Sequence, residues 1–165
     1  MAILSIKKFN EPVLRRRCKE VRKIDRKTKR LIVDMAQTMI KNRGVGLAAP
    51  QIGVSKRIIV VQNGPKEGRI FTLVNPKIKK ASRENQVVEE GCLSFPGIFL
   101  KIKRAKEIEI EGKDIKGREI KIRARGFLAQ VFQHEIDHLD GILFFNRLGF
   151  FQKIRFKLRH PLIKL

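Results

Sequence analysis

From Asp25 to Arg43, the residues Leu31, Ile32, Met35, Ala36, Met39 and Ile40 recur at the spacing of one helical face. Asp25 is placed to cap the N-terminus and Gly44 lies just past the end, so the pattern predicts an amphipathic helix. It then gives way to β-branched runs at residues 57–62 and 70–75, separated by the turn residues Asn63, Gly64, Pro65 and Gly68, and these predict strands. Strict alternation over residues 107–111 and 119–123, around Gly112 and Gly117, predicts a half-buried antiparallel hairpin. Helical spacing returns from Phe127 to Leu139 and again from Leu148 to Leu158, ahead of Pro161. The order helix, strands, central helix, helical tail makes an α+β chain. No repeat, low-complexity stretch or linker-like break in composition interrupts it.

A length of 165 residues supports one core and not two. With 42% hydrophobic and 33% charged residues and a mean hydropathy of −0.24, the composition is that of a globular protein and excludes a disordered or fibrous one. No apolar run approaches the ~20 residues of a membrane-spanning helix, and residues 1–10 lack the apolar stretch and cleavage site of a signal peptide, so a cytoplasmic location is expected. Two cysteines, Cys18 and Cys92, cannot build a disulfide scaffold; in a reducing compartment such thiols are core fillers, metal ligands or nucleophiles.

Charge changes the picture more. Against 38 Lys and Arg stand 16 Asp and Glu, a formal net charge of +22. Such a field steers RNA, DNA or anionic membranes toward the protein without specifying its fold, and the same excess fits a proteome that is basic throughout. With no Trp and no Tyr, base stacking would fall to Phe, His or Arg, and no interleaved basic and aromatic motif is present. A dedicated nucleic-acid reader, or specific DNA binding, is not expected.

The chemistry concentrates in His134-Glu135-Ile136-Asp137-His138, inside the predicted central helix. Spacing of i, i+4 stacks the two imidazoles on one face so that both can reach one ion, while Glu135 projects about 100° around the helix, where a general base could meet a metal-activated water. Two of the chain's 3 histidines lie in this motif. A catalytic divalent ion wants a third protein ligand. Metzincin proteases place a His six residues after the second, and here that position holds Phe144; from Gly141 to Leu165 no acidic residue follows. His160, beside Pro161 in a basic tail, reads as a surface residue. The third ligand is therefore sought upstream, where Cys92 lies between Gly91 and Pro96 in a segment read as a defined loop, whereas Cys18 sits in a basic run without such punctuation and reads as a spectator. A third segment, residues 44–53, combines small residues that allow close backbone approach with the amide of Gln51; it is neither a phosphate-cradling loop nor a dinucleotide fingerprint, and alone it signals little.

Taken together, Gly44-Val-Gly-Leu-Ala-Ala-Pro-Gln-Ile-Gly53, Glu90-Gly-Cys-Leu-Ser-Phe-Pro96 and Gln133-His-Glu-Ile-Asp-His-Leu-Asp-Gly141 resemble the three signature segments of peptide deformylases, in order and at compatible spacing. The resemblance implies antiparallel β-sheets around a central metal-binding helix, with an N-terminal and a C-terminal helix. It implies hydrolysis of the N-formyl group from the initiator methionine of nascent peptides, with release of formate. By position it makes Cys92, His134 and His138 the ligands of one divalent ion, natively Fe2+, with Zn2+, Ni2+ or Co2+ able to replace it. It makes Glu135 the general acid/base toward a metal-bound hydroxide, and Gln51 and the Leu93 backbone N–H the oxyanion donors. The substrate backbone is expected along Val45 and Gly46, and the methionine side chain against Val45, Phe127 and Val131; for Phe127 and Val131, ordinary core packing on a helix face accounts for the pattern equally well. Arg43 stands where the family often carries an acid, and Phe99 where some members carry a base.

Residues 1–146 are expected to form the catalytic unit. Residues 147–165 carry six Lys and Arg and no acid, and read as a basic amphipathic helix, within the same domain or appended to it. That pattern suits a membrane surface, or the ribosome on which such a tail can dock in this family. Two other readings remain open: a basic RNA-associated protein with a purely structural metal, and a zincin-type endopeptidase.

Overall fold

Asp25 caps the first helix: its side chain accepts from the Thr28 N–H at 2.8 Å, and α1 runs over Arg26–Lys41. The left-handed turn that ends this segment falls on Arg43, with φ 55°, one residue before the glycine expected to supply it. This computed structural model describes residues 2–64 and 68–163; Pro65, one of the expected turn residues, and the last two residues of the tail lie outside the described residues.

Strand β1 (Gly46–Ala48), a 3₁₀ turn (Ala49–Ile52) and β2 (Ile58–Gln62) follow. Then come β3 (Ile70–Ala81), β4 (Asn85–Cys92), β5 (Phe95–Ala105), β6 (Glu107–Lys113) and β7 (Glu119–Arg125). β3 outruns its predicted end at Asn75 because the chain bulges there, with Asn75 at φ 52°, and so accommodates Pro76 before resuming its pairing with β6. β1, β2, β3, β6 and β7 form one antiparallel sheet in that order, and β4 and β5 form a separate two-stranded ribbon. The segment read as a loop around Cys92 is thus the end of β4, a two-residue turn and the start of β5. On the predicted hairpin, Glu107, Glu109 and Glu111 of β6 pair directly across from Arg125, Arg123 and Lys121 of β7 at 3.2, 2.9 and 3.0 Å, which fixes the register on the solvent face.

β2 is buried on both faces. Ile58 and Val60 meet α1 through Ile32, Met35 and Met39, while Ile59 and Val61 meet the central helix through Phe132 and Ile136. That helix, α2 (Gly126–Leu139), has ten of its 14 residues buried. A third cluster joins Phe95 of β5 to Phe144, Phe145 and Leu148, and takes in Phe156 from α3 (Phe150–Arg159), the tail helix. No helix among the described residues is long and apolar enough to cross a membrane.

Candidate metal centre

Helix geometry places His134 and His138 one turn apart on the buried side of α2, their ring centroids separated by 5.0 Å. Cys92 reaches them from the last position of β4, where Leu93 and Ser94 turn the chain back into β5. Its Sγ lies 3.3 Å from Nε2 of His138. One ligating atom from each of the three residues falls within 4.8 Å of the others, and among the described residues no other group of three or more His, Cys, Asp or Glu converges in this way. Cys18 stays apart, buried in the core beside Leu139, where loss of solvent raises its thiol pKa. His160 packs its ring 4.8 Å from Phe156, and Phe144 walls the site with its ring 5.9 Å from His134.

One thiol and two imidazoles suit a borderline-soft divalent ion and not Mg2+ or Ca2+, which take oxygen ligands. Beside them, Oε2 of Glu135 is buried without a hydrogen-bond partner. Burial pushes this carboxyl up to about 7, against the pull of His134. The residues therefore fit one metal ion with a buried, unpartnered carboxyl oxygen next to it.

The surroundings hold several of these groups in place, although Nδ1 of His138, like Oε2 of Glu135, is buried with no hydrogen-bond partner. Nδ1 of His134 lies 2.9 Å from Oε2 of Glu90, which leaves Nε2 for an ion. Burial alone would raise the Glu90 carboxyl, but hydrogen bonds from Arg104 and His134 outweigh it and hold the group at about 2. Oε1 of Gln51 accepts from the Ala48 N–H at 2.8 Å, so its amide NH2 is turned toward Cys92 Sγ at 3.4 Å and Ser94 Oγ at 3.3 Å. Gly46 is the residue on which Glu135 rests: a Cβ there would lie 2.3 Å from Oε1, so only hydrogen fits. Leu93 follows Cys92 in the turn, with its carbonyl accepting from Lys8 at 3.2 Å.

A cleft of about 530 Å³ opens over this centre, lined by Val45, Gly46, Gln51, Leu93, Phe127 and Val131 together with Cys92, His134 and Glu135. Arg43 and Phe99, the two departures from the deformylase pattern, line it as well. Sequence reading missed Glu90, Arg104 and Asp137, which are joined behind the histidines in buried ion pairs. Asp137 lay inside the motif and Glu90 two residues before Cys92; Arg104 carried no signal, standing among Lys101, Lys103 and Lys106.

The family model for polypeptide deformylase matches residues 3–153, a span that takes in all three segments of the site. The chain belongs to the polypeptide deformylase family. Among deformylases of known sequence, that of Halothermothrix orenii is 51% identical over 148 residues, covering 90% of this chain and 95% of its own. The crystal structure of the peptide deformylase from Thermus thermophilus superposes with a TM-score of 0.91 at 40% identity, over 97% of this chain and 94% of that one. A deformylase from Synechococcus elongatus, solved in complex with actinonin, gives a TM-score of 0.88 at 36% identity, over 98% and 87% of the two chains. The fold expected from the deformylase resemblance, antiparallel sheets about a helix that carries the histidines, is the fold observed.

Proposed function

We infer that the chain removes the N-formyl group from the N-terminal methionine of newly made polypeptides and releases formate. The observation that carries this reading is the meeting of Cys92, His134 and Glu135, whose Oε2 lacks a hydrogen-bond partner, at one cleft, with His138 converging on Cys92 and His134, in a member of the deformylase family. Cys92, His134 and His138 would hold one divalent ion, Fe2+ on the family likeness, with Zn2+, Ni2+ or Co2+ as substitutes. When bound, such an ion lowers the pKa of water toward ~7 and so supplies a nucleophile at neutral pH.

The protein's own groups do the rest. Glu135, with a pKa near 7, is matched to take the proton from the attacking water and return it to the departing amine. Gln51, oriented by Ala48, and the Leu93 N–H would meet the oxygen on which negative charge develops at the formyl carbon. β1 is the edge strand of its sheet, so its outer side offers backbone groups to an extended peptide along Val45 and Gly46. Val45, Phe127 and Val131 give the methionine side chain an apolar wall.

The enzyme would act in the cytoplasm on chains leaving the ribosome. Residues 1–146 would carry the catalytic centre, and the tail from Arg147 onward, with Lys153, Arg155, Lys157 and Arg159 on α3, would dock on the ribosome by charge. Salt-sensitive pelleting with ribosomes that is lost on deleting the tail is expected; equal pelleting with and without the tail would sink the docking claim alone.

The deciding experiment is anaerobic formate release from formyl-Met-Ala-Ser by the Fe2+-loaded protein beside Glu135→Ala. Turnover should fall by about 100-fold or more in the variant with its metal retained. No formate from the metallated unaltered protein would overturn the reading, and intact casein in the same assay separates it from an endopeptidase.

A further inference from the structure

Behind the ligands lies a line of charge, buried at Glu90, Arg104 and Asp137 and exposed at Arg147, that reaches from the metal centre to the root of the tail. Arg104 of β5, 3% exposed, forks onto Glu90 through Nε at 2.7 Å and Nη2 at 2.9 Å, and its Nη1 meets Asp137 at 2.6 Å. Glu90 holds His134, and Asp137 sits between Arg104 and Arg147, whose Nε and Nη2 approach its two oxygens at 3.0 and 2.5 Å. Arg147 is the last residue of the 3₁₀ turn Phe144–Arg147, just before the tail helix. Two carboxylates and two guanidiniums balance. Without Arg147, Glu90 and Asp137 would share a single guanidinium; although the Arg147 end is exposed and screened, Asp137 itself is buried and would be left to seek a replacement partner.

Geometry transmits such a move. A guanidinium is a rigid plane, and three of the nitrogens of Arg104 are already committed to two carboxylates on different elements, β4 and α2. A shift of Asp137 toward other partners therefore turns that plane and carries Glu90 with it, and Glu90 sets the ring of His134. We propose that Arg147 is a positioning residue for the metal centre: by fixing Asp137 it fixes Arg104, Glu90 and the His134 ring, and so couples the root of the tail to retention of the metal. The coupling rests on the metal-site reading above. Helix α3 itself supplies no residue to these ion pairs; its Phe156 packs in the cluster of Leu14, Phe95 and Phe145, stacking on Phe145 two residues before Arg147.

The test uses the full chain loaded with Co2+, whose bond to a thiolate absorbs in the near ultraviolet and visible. Loss of that absorption to excess EDTA gives the rate of metal release; melting of the metal-free protein gives stability. Arg147→Ala should release Co2+ about 10-fold faster than the unaltered protein, and Arg147→Lys, which restores the charge but not the fork, should fall between them. Phe156→Ala, which loosens α3 and leaves the ion pairs in place, should lower the melting temperature yet release Co2+ within about twofold of the unaltered rate. The proposal is overturned if Arg147→Ala releases metal at the unaltered rate, or if Phe156→Ala speeds release as much, since tail docking alone would then explain it. Failure of the unaltered chain to bind Co2+ at all would overturn the metal site and this coupling with it.

Discussion

The helices α2 and α3 break the rule of apolar inside and polar outside in opposite directions. α2 buries Gln133, His134, Glu135, Asp137 and His138, each of which costs free energy to desolvate and persists only because partners or a bound ion compensate. α3 buries Phe156 at 4% exposure but presents Phe151 at 83% and Leu158 at 79%, with Phe150 and Ile154 beside them. On a helix those four positions fall within about 100° of arc, bordered by Lys153 and Lys157 on one side and Arg155 and Arg159 on the other. A polar residue pulled inward has to find a compensating partner there, whereas the apolar stripe of α3 is left uncovered by the described residues. α1 lies nearer the rule, burying Ile32, Met35 and Met39 and exposing its lysines and arginines, though it also buries the hydrogen-bonded Asp34 and Thr38 and leaves Ile40 exposed.

The contrast can be broken most forcefully at the support of α2. Arg104→Met would leave Glu90 and Asp137 as buried carboxylates short of a cation, and should cost about 3–5 kcal/mol in urea unfolding of the metal-free protein. Next is the face of the cleft opposite α2. Gln51→Ala should lower kcat by about 100- to 1000-fold, some 2.7–4 kcal/mol of transition-state stabilisation, and leave KM near its original value. On α3 the two faces should separate cleanly: Phe156→Ala costs about 3 kcal/mol if the tail folds as part of the domain, whereas Phe151→Ser stays within about 0.5 kcal/mol in the same unfolding experiment. The smallest effect belongs to α1. The Thr28 N–H holds the Asp25 carboxyl below its ordinary pKa, so its contribution is present above pH ~4 and fades as pH falls through the lowered value. Asp25→Ala should therefore depress the melting temperature slightly at pH 7, by an amount that shrinks as the pH is taken down through the acid range.

Which of these effects could be foreseen depended on how local the interaction is. The cap at Asp25 and the hairpin of β6 and β7 were legible because both rest on short-range patterns, a fixed offset in a helix and alternation around a turn, whereas the ion pairs across the hairpin appear only once its register is known. The outward stripe of α3 was visible only as a periodicity, and the same pattern would suit a helix packed against the core. Phe127 and Val131 show the same ambiguity on α2: their spacing fits core or pocket alike, and both line the cleft.

The sequence alone determined the pieces that helix geometry fixes, above all two imidazoles four residues apart with a carboxyl between them, because a rise and a turn per residue are the same in every α-helix. Tertiary structure decided what that triplet meets. It carried Cys92 to the histidines on the β4–β5 ribbon and left Cys18 in the core, and it drew Arg104 out of a run of look-alike cations to bind Glu90 and Asp137. Glu90 and His134 stand 44 residues apart in the chain. Their meeting depends on where two separate elements pack, a matter settled by burial over the whole core and by no spacing along the sequence.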